Sequence, residues 1–313
     1  MVDFPQRGNS NDPAFRDSGV FRSREPEIIP PGQEPRGSSQ RGWYPPPDQQ
    51  YAPPPPRRSR RQVPGWAFAP ATYVLCGINV AVYLAMLLSG VSFWDPTLAQ
   101  IIHWGGNNSA LVIAHHQWWR LITAMFVHIG IIHIATNLWC LWNLGLLAEP
   151  LMGSFGVIAA YLLTGFAGNL LSIVVHPGVA FGPSGAIIVL DPFRTGAGAS
   201  GAIFGLAGVL IVLLKSPLLP LPKPELKKLR RSVIYFALIN LALGVYTAIG
   251  PSPIRIDNMA HLGGFLSGLA LGVPLVPKIG AAKPLFERRR RWGVWGGAFL
   301  LILFAVGVHA FWA

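Results

Sequence analysis

The chain has 313 residues, 51% of them apolar and only 12% charged, with a mean hydropathy of +0.43. These values exclude an ordinary soluble domain, because several apolar stretches reach the roughly 20 residues of helix that cross a bilayer. The formal charge of +12 does not mark a nucleic-acid binder, since the basic residues lie mainly in the N-terminal tail and between apolar segments. Lys and Arg placed that way mark cytoplasmic loops.

Residues 1–63 are rich in Pro, Arg, Gln, Ser and Gly and have almost no aliphatic clustering. Such a segment buries too little apolar surface to offset chain entropy, so a disordered basic tail is expected. Arg57, Arg58, Arg60 and Arg61 stand beside the first apolar stretch, where anionic lipid heads are a natural partner. The N-terminus lacks the basic head and apolar core of a cleavable signal peptide. Cys76 and Cys140 each fall inside an expected membrane helix, which argues against a stabilising disulfide.

The first expected span covers about 68–90. The segment 91–120 that follows is too polar to cross, but Trp94, Trp104, Trp118 and Trp119 suit a membrane–water boundary, so short interfacial helices are expected there. Further spans are expected at about 126–148, 153–175, 197–214, 232–250, 257–276 and 292–313. The fold class is therefore an all-α polytopic membrane protein. Lys215, Lys223, Lys227, Lys228, Arg230 and Arg231 separate spans four and five, and Lys278, Lys283 and Arg288 to Arg291 separate six and seven. If all seven helices cross, these clusters share one side with Arg57 to Arg61. The N-terminus is then cytoplasmic and the C-terminus outside, in a multi-pass protein of the cell membrane.

Gly198-Ala199-Ser200-Gly201 opens span four, and a serine flanked by glycines there is accessible to a base. His261, in the glycine-rich Ala260-His261-Leu262-Gly263-Gly264, is the candidate base. Ser200 precedes Lys215 by 15 residues and His261 precedes Lys278 by 17. At about 1.5 Å per residue they sit roughly 22 Å and 25 Å above the cytoplasmic edge, within one helical turn of each other. Gly201 and Gly205 on span four, and Gly264 and Gly268 on span six, form small-xxx-small faces that permit close helix approach. In span two, His133 and Asn137 are four apart, share a helix face, and lie at a similar depth. Polar groups at that depth face a bundle interior, and donors beside a serine nucleophile stabilise an oxyanion.

Rival readings use the same residues. Gly182-Pro183-Ser184-Gly185 also presents a serine between glycines, but Pro192 follows closely and a loop turn is the simpler reading. Asp257, four before His261, is either a third catalytic member or the N-cap of span six, where Asp is favoured. The pair His128 and His133, with His115 and His116, invites a metal reading, yet no HExxH occurs. A transporter would also carry intramembrane polar residues, though no inverted repeat is evident. A catalytically silent adaptor that binds transmembrane clients should lack the nucleophile or the base.

Trp119-Arg120, His128, His133 with Asn137, Gly198-Ala199-Ser200-Gly201, and Ala260-His261-Leu262-Gly263-Gly264 together resemble the rhomboid family of intramembrane serine proteases, over about residues 66–276. The resemblance implies a rhomboid-like six-helix bundle with Ser200 as nucleophile and His261 as general base and acid. It implies that His133 and Asn137 assist the Ser200 amide in holding the oxyanion, and that His128 and Glu149 are structural. The expected organisation is a tail at 1–63, a catalytic membrane domain at 64–278, and a basic loop with a seventh helix at 279–313. Transmembrane protein substrates within the lipid bilayer are implied, with no cofactor and no metal, and no oligomeric state is specified. A small residue before the cut is implied as well. The tail has no counterpart in the family core, and the loop 177–197 is long for the family. Phe204, one turn beyond Ser200, is expected to pack against His261 and hold its ring.

Overall fold

The computed structural model describes residues 68–216, 219, 222–249, 256–275 and 283–312. The tail 1–63, including Arg57 to Arg61, and the loop residues Arg255 and Lys278 lie outside the described residues. Nine helices occur among the described residues: α1 (Pro70–Leu88), α2 (Leu98–His103), α3 (Ser109–Ile113), α4 (Arg120–Thr123), α5 (Gly130–Val175), α6 (Ser200–Leu213), α7 (Lys223–Ile249), α8 (Asn258–Leu275) and α9 (Lys283–Trp312). Four of these hold segments long and apolar enough to cross a membrane: Pro70–Leu88, Gly130–Val175, Lys223–Thr247 and Pro284–Trp312.

The expected second and third spans are the two helical segments of α5, separated at Gly153, whose φ of 73° and ψ of 165° turn the chain between them. Pro150 precedes the break and denies the helix a backbone donor there. Helices α7 and α9 each begin nine residues before the expected edges at 232 and 292. The added turns are rich in Lys, Arg and Glu, good helix formers that hydropathy alone ends too early. Each starts Lys-Pro, with Pro224 or Pro284 in the first turn, where a missing N–H costs nothing.

Helix α6 is the centre of the bundle. Every residue from Gly201 to Leu210 is buried, as befits a helix that is apolar on all sides. It packs against α5 and α8 along most of its length and against α7 on a smaller face. The α6–α8 contact is made through glycine: a Cβ at Gly264 would overlap the Gly201 carbonyl, and one at Gly268 would overlap the Gly205 carbonyl. At the far end from Ser200, Glu149 accepts from the Ala71 and Thr72 amides, both at 2.9 Å, from the Thr72 hydroxyl at 2.7 Å and from Ser154 at 2.7 Å. A carboxylate so satisfied ties the start of α1 to the turn of α5, a natural place for negative charge.

The segment 91–129 contains the expected short helices, α2 to α4, and adds a two-residue strand, β1 (Asn107–Asn108). It pairs antiparallel with β4 (Thr195–Gly196). The loop 177–197 also contains a hairpin of β2 (Val179–Phe181) and β3 (Ile187–Val189), paired in register 179 to 189. Strands this short carry no period that could reveal them in sequence.

Candidate active site

The chain reaches Ser200 through a clamped approach. Pairing of Asn107 with Gly196 and Asn108 with Thr195 holds residues 195–196 against the interfacial segment. The Asn108 amide donates to the Pro192 carbonyl at 2.9 Å and to Thr195 Oγ1 at 3.0 Å, while Asn107 donates to the Asn169 carbonyl at 3.1 Å. Arg120 fastens the same segment from below, donating to the carbonyls of Ile102 at 2.6 Å and Gly106 at 3.1 Å. Gly198 then donates to the Ala124 carbonyl at 2.8 Å and takes a φ of 120°, which only glycine adopts without strain. Ser200 follows as the first residue of α6.

Ser200 Oγ lies 2.8 Å from His261 Nε2. The serine comes from the start of α6 and the histidine from the first turn of α8, where the glycine crossing brings the two backbones together. The His261 ring stacks on Phe204, with centroids 4.2 Å apart and planes at 14°. Phe204 rests in turn against Phe236 of α7 at 5.9 Å. His261 Nδ1 is buried and has no hydrogen-bond partner. Asp257 caps α8 by accepting from the Ala260 amide at 3.0 Å, and its other oxygen accepts from Ser172 Oγ. The cap is therefore its observed contact.

His133 and Asn137 reach the same place from α5. A Cβ built on Gly198 would lie 2.8 Å from His133 Nε2 and 3.7 Å from Asn137 Nδ2, so both side chains face the backbone just ahead of Ser200. The Ile129 amide donates to His133 Nδ1 at 3.2 Å, which leaves the ring proton of a neutral imidazole on Nε2, facing the site. One hydrogen of Asn137 Nδ2 is used on the His133 carbonyl at 2.9 Å, leaving the second to donate. His128 is spent on structure: Nδ1 bonds the Phe126 carbonyl at 3.2 Å, and Nε2 accepts from the Ala199 amide at 3.5 Å.

Among the contacts of the described residues, none joins this cluster to Ser184. It sits in the exposed turn of the β2–β3 hairpin, closed by the Gly185 amide on the Gly182 carbonyl at 2.9 Å. Asn107, Asn108, Asn169 and Ser172 were not singled out in the sequence. Asn169 and Ser172 were nonetheless findable, being polar, three apart on one face of an apolar span, and so committed to its interior. Beside them, at the C-terminal end of α5, burial holds His176 below the ordinary histidine range, with nearby Arg194 adding to the shift and Asp257 opposing it.

A serine and a histidine in hydrogen-bond contact inside an all-helical bundle, with two polar side chains lining the approach, define a multi-pass membrane protein with serine-hydrolase geometry. The rhomboid domain matches residues 115–278. The chain belongs to the rhomboid family. It is 32% identical over 237 residues to the rhomboid protease GluP of Bacillus subtilis (strain 168), covering 75% of this chain and 39% of that protein. It is 27% identical over 210 residues to the rhomboid protease AarA of Providencia stuartii, covering 66% of this chain and 72% of that protein. RHOMBOID-like protein 1 of Arabidopsis thaliana is 30% identical over 205 residues, 63% of this chain and 46% of that protein. The chain thus spans less than half the length of GluP and of the Arabidopsis protein.

Proposed function

We propose that this protein is an intramembrane serine endopeptidase that cleaves the transmembrane segments of other membrane proteins near the outer face. The observation that carries the reading is the 2.8 Å contact between Ser200 Oγ and His261 Nε2, in a site lined by His133 and Asn137. Ser200 Oγ attacks the scissile carbonyl carbon as its proton passes to His261 Nε2. The oxyanion is held by the Ser200 amide, His133 Nε2–H and the second Asn137 Nδ2–H. His261 then protonates the departing amine, and the acyl-enzyme remains on Ser200. Water gives a proton to His261, attacks the ester and releases the acid. Phe204 keeps the imidazole facing Ser200 throughout, and no cofactor enters any step. Because a helix keeps its amides in internal hydrogen bonds, substrates with helix-weakening residues near the outer boundary suit this site best. The family resemblance adds a preference for a small residue before the cut.

In this reading, 64–278 is the catalytic membrane domain, 1–63 a cytoplasmic basic tail, and 279–313 a basic loop with an added helix. Lys227, Lys228, Arg230 and Arg231 of α7 and Arg288 to Arg291 of α9 lie in the opening turns of their helices. That support for a cytoplasmic side leaves Ser200 toward the opposite face, with the C-terminus outside.

The test is to label the purified protein with a fluorophosphonate and map the modified peptide, in wild type and in Ser200→Ala, Ser184→Ala and His261→Ala. Adduct on Ser200 is expected, lost without His261 and kept without Ser184. Cleavage of a transmembrane substrate in lipid should fall at least ~10³-fold in Ser200→Ala. Adduct on Ser184 overturns the assignment. Absence of both adduct and cleavage in a folded protein favours a non-catalytic client-binding role.

A further inference from the structure

Nothing grips the His261 ring from behind. Its Nδ1 is buried and has no hydrogen-bond partner among the described residues, so no acceptor fixes the imidazole as it faces Ser200. The direction of the ring depends instead on the Phe204 stack and on the backbone that carries it. That backbone is the first turn of α8, where opening amides have no partner within the helix. Asp257 supplies one. Its Oδ1 accepts from the Ala260 amide at 3.0 Å, and its carbonyl accepts from the His261 amide at 3.1 Å. The Ala260 carbonyl is held between two other helices: a Cβ on Gly168 of α5 would lie 2.4 Å from it, and one on Gly201 of α6 would lie 3.3 Å from it. The residue before His261 is therefore fixed at its amide by Asp257 and at its carbonyl by close packing.

A helix cap needs only one side-chain oxygen. The second oxygen of Asp257 reaches across to another helix, where Oδ2 accepts from Ser172 Oγ, one turn beyond Gly168 on α5. A Cβ on Gly196 would lie 3.2 Å from the same Oδ2, so the strand β4, which leads into Ser200, passes against this carboxylate. The end of α5, the start of α8 and the approach to the serine thus meet on one side chain. We propose that Asp257 is a positioning residue for the proposed protease reaction: clamped between Ser172 and the Ala260 amide, it sets the first turn of α8 so that the His261 ring faces Ser200. It acts through the backbone of His261 and by geometry, not by its charge. The inference rests on the reading of Ser200 as nucleophile and His261 as base. Misplacing a reacting group by about 1 Å can cost on the order of 10²-fold in rate. A slackened first turn is therefore felt in the chemical step rather than in substrate binding.

The test measures the rate of Ser200 labelling by a fluorophosphonate on the full chain, beside kcat and KM for a transmembrane substrate in lipid. The compared proteins are wild type, Asp257→Ala, Asp257→Asn, Ser172→Ala, the Asp257→Ala/Ser172→Ala double variant and Arg290→Ala. Arg290 Nη1 donates to the Met152 carbonyl at 3.0 Å, remote from Ser200, so Arg290→Ala reports what a lost capping contact does through stability alone. Asp257→Ala should slow labelling and lower kcat about ten-fold, with KM within about two-fold of wild type. Asp257→Asn should restore both to within about two-fold, because the amide oxygen can accept from Ala260 and the amide nitrogen can donate to Ser172 Oγ. Ser172→Ala should slow labelling about three-fold, and the double variant should be no slower than Asp257→Ala, since the two side chains act as one unit. Wild-type adduct on Ser200 with Asp257→Ala equally fast overturns the positioning role alone. Asp257→Asn as slow as Asp257→Ala assigns the effect to charge and overturns the geometric role. A slowing matched by Arg290→Ala reduces the effect to stability and overturns it as well, and a double variant slowed by the product of the single effects overturns the link to Ser172. If Asp257→Ala does not fold, Ser172→Ala decides, a wild-type rate there overturning the proposal. No adduct in folded wild type overturns the catalytic reading itself, and this inference falls with it.

Discussion

The α6–α8 crossing and the flank formed by α9 are built on opposite terms. At the crossing, backbone meets backbone across Gly201, Gly264, Gly205 and Gly268, with no side chain between them. Along α9, side chains such as Trp295, Phe299, Leu300 and Leu303 are more than half exposed to the surroundings, and the helix is held chiefly by its ends. The difference teaches where positional accuracy is needed. Two groups that must sit at 2.8 Å need backbones that cannot drift, whereas a peripheral helix in lipid can tolerate gaps that lipid fills.

Mutations graded by effect sharpen that contrast. Gly268→Val forces branched carbons into the Gly205 carbonyl and should cost at least ~3 kcal/mol, seen as a large loss of thermal stability in detergent. Survival of wild-type stability there would mean that the crossing is looser than its geometry states. Phe204→Leu keeps apolar volume but removes the stack on His261, so kcat should fall about ten-fold, equal to ~1.4 kcal/mol of barrier, with the fold intact. Unchanged cleavage would show that the ring needs no such support. Arg290→Ala removes the cap on the Met152 carbonyl and should cost about 1.5 kcal/mol in unfolding, with Ser200 labelling unchanged. Phe299→Ala, on the lipid-facing side of α9, should alter stability by no more than ~0.5 kcal/mol.

The crossing was also the more legible half in sequence. Ser200 and His261 could be placed at one depth by counting from Lys215 and Lys278, and the four-residue glycine spacing indicated which helices touch. The stack of Phe204 followed from local spacing, whereas spacing left Asp257 as either a cap or a third catalytic member, and its contact with the Ala260 amide shows the cap. The β1–β4 pairing was hidden, because two-residue strands have no alternation to read, and Asn107 and Asn108 become meaningful only once Thr195 and Gly196 lie beside them. The early starts of α7 and α9 were hidden for another reason: hydropathy locates the bilayer edge, whereas helices continue wherever Lys, Arg and Glu favour them. The turn at Gly153 was placed to within a few residues, and Ser154 just beyond it donates to Glu149 just before it.

Helix α6 is 14 residues long and has Ser200 as its first residue. In the proposed orientation, with Lys215 at the cytoplasmic edge, a helix of about 21 Å leaves its amino end short of the far side of the ~30 Å hydrocarbon layer. The aligned peptide dipoles of such a helix place about half a positive charge at that end. Mobile ions cannot gather there to cancel it as they do at a surface. The helix that carries Ser200 therefore also sets a standing electric field on its oxygen, and truncating α6 fixes both where negative charge can develop and how little it is screened.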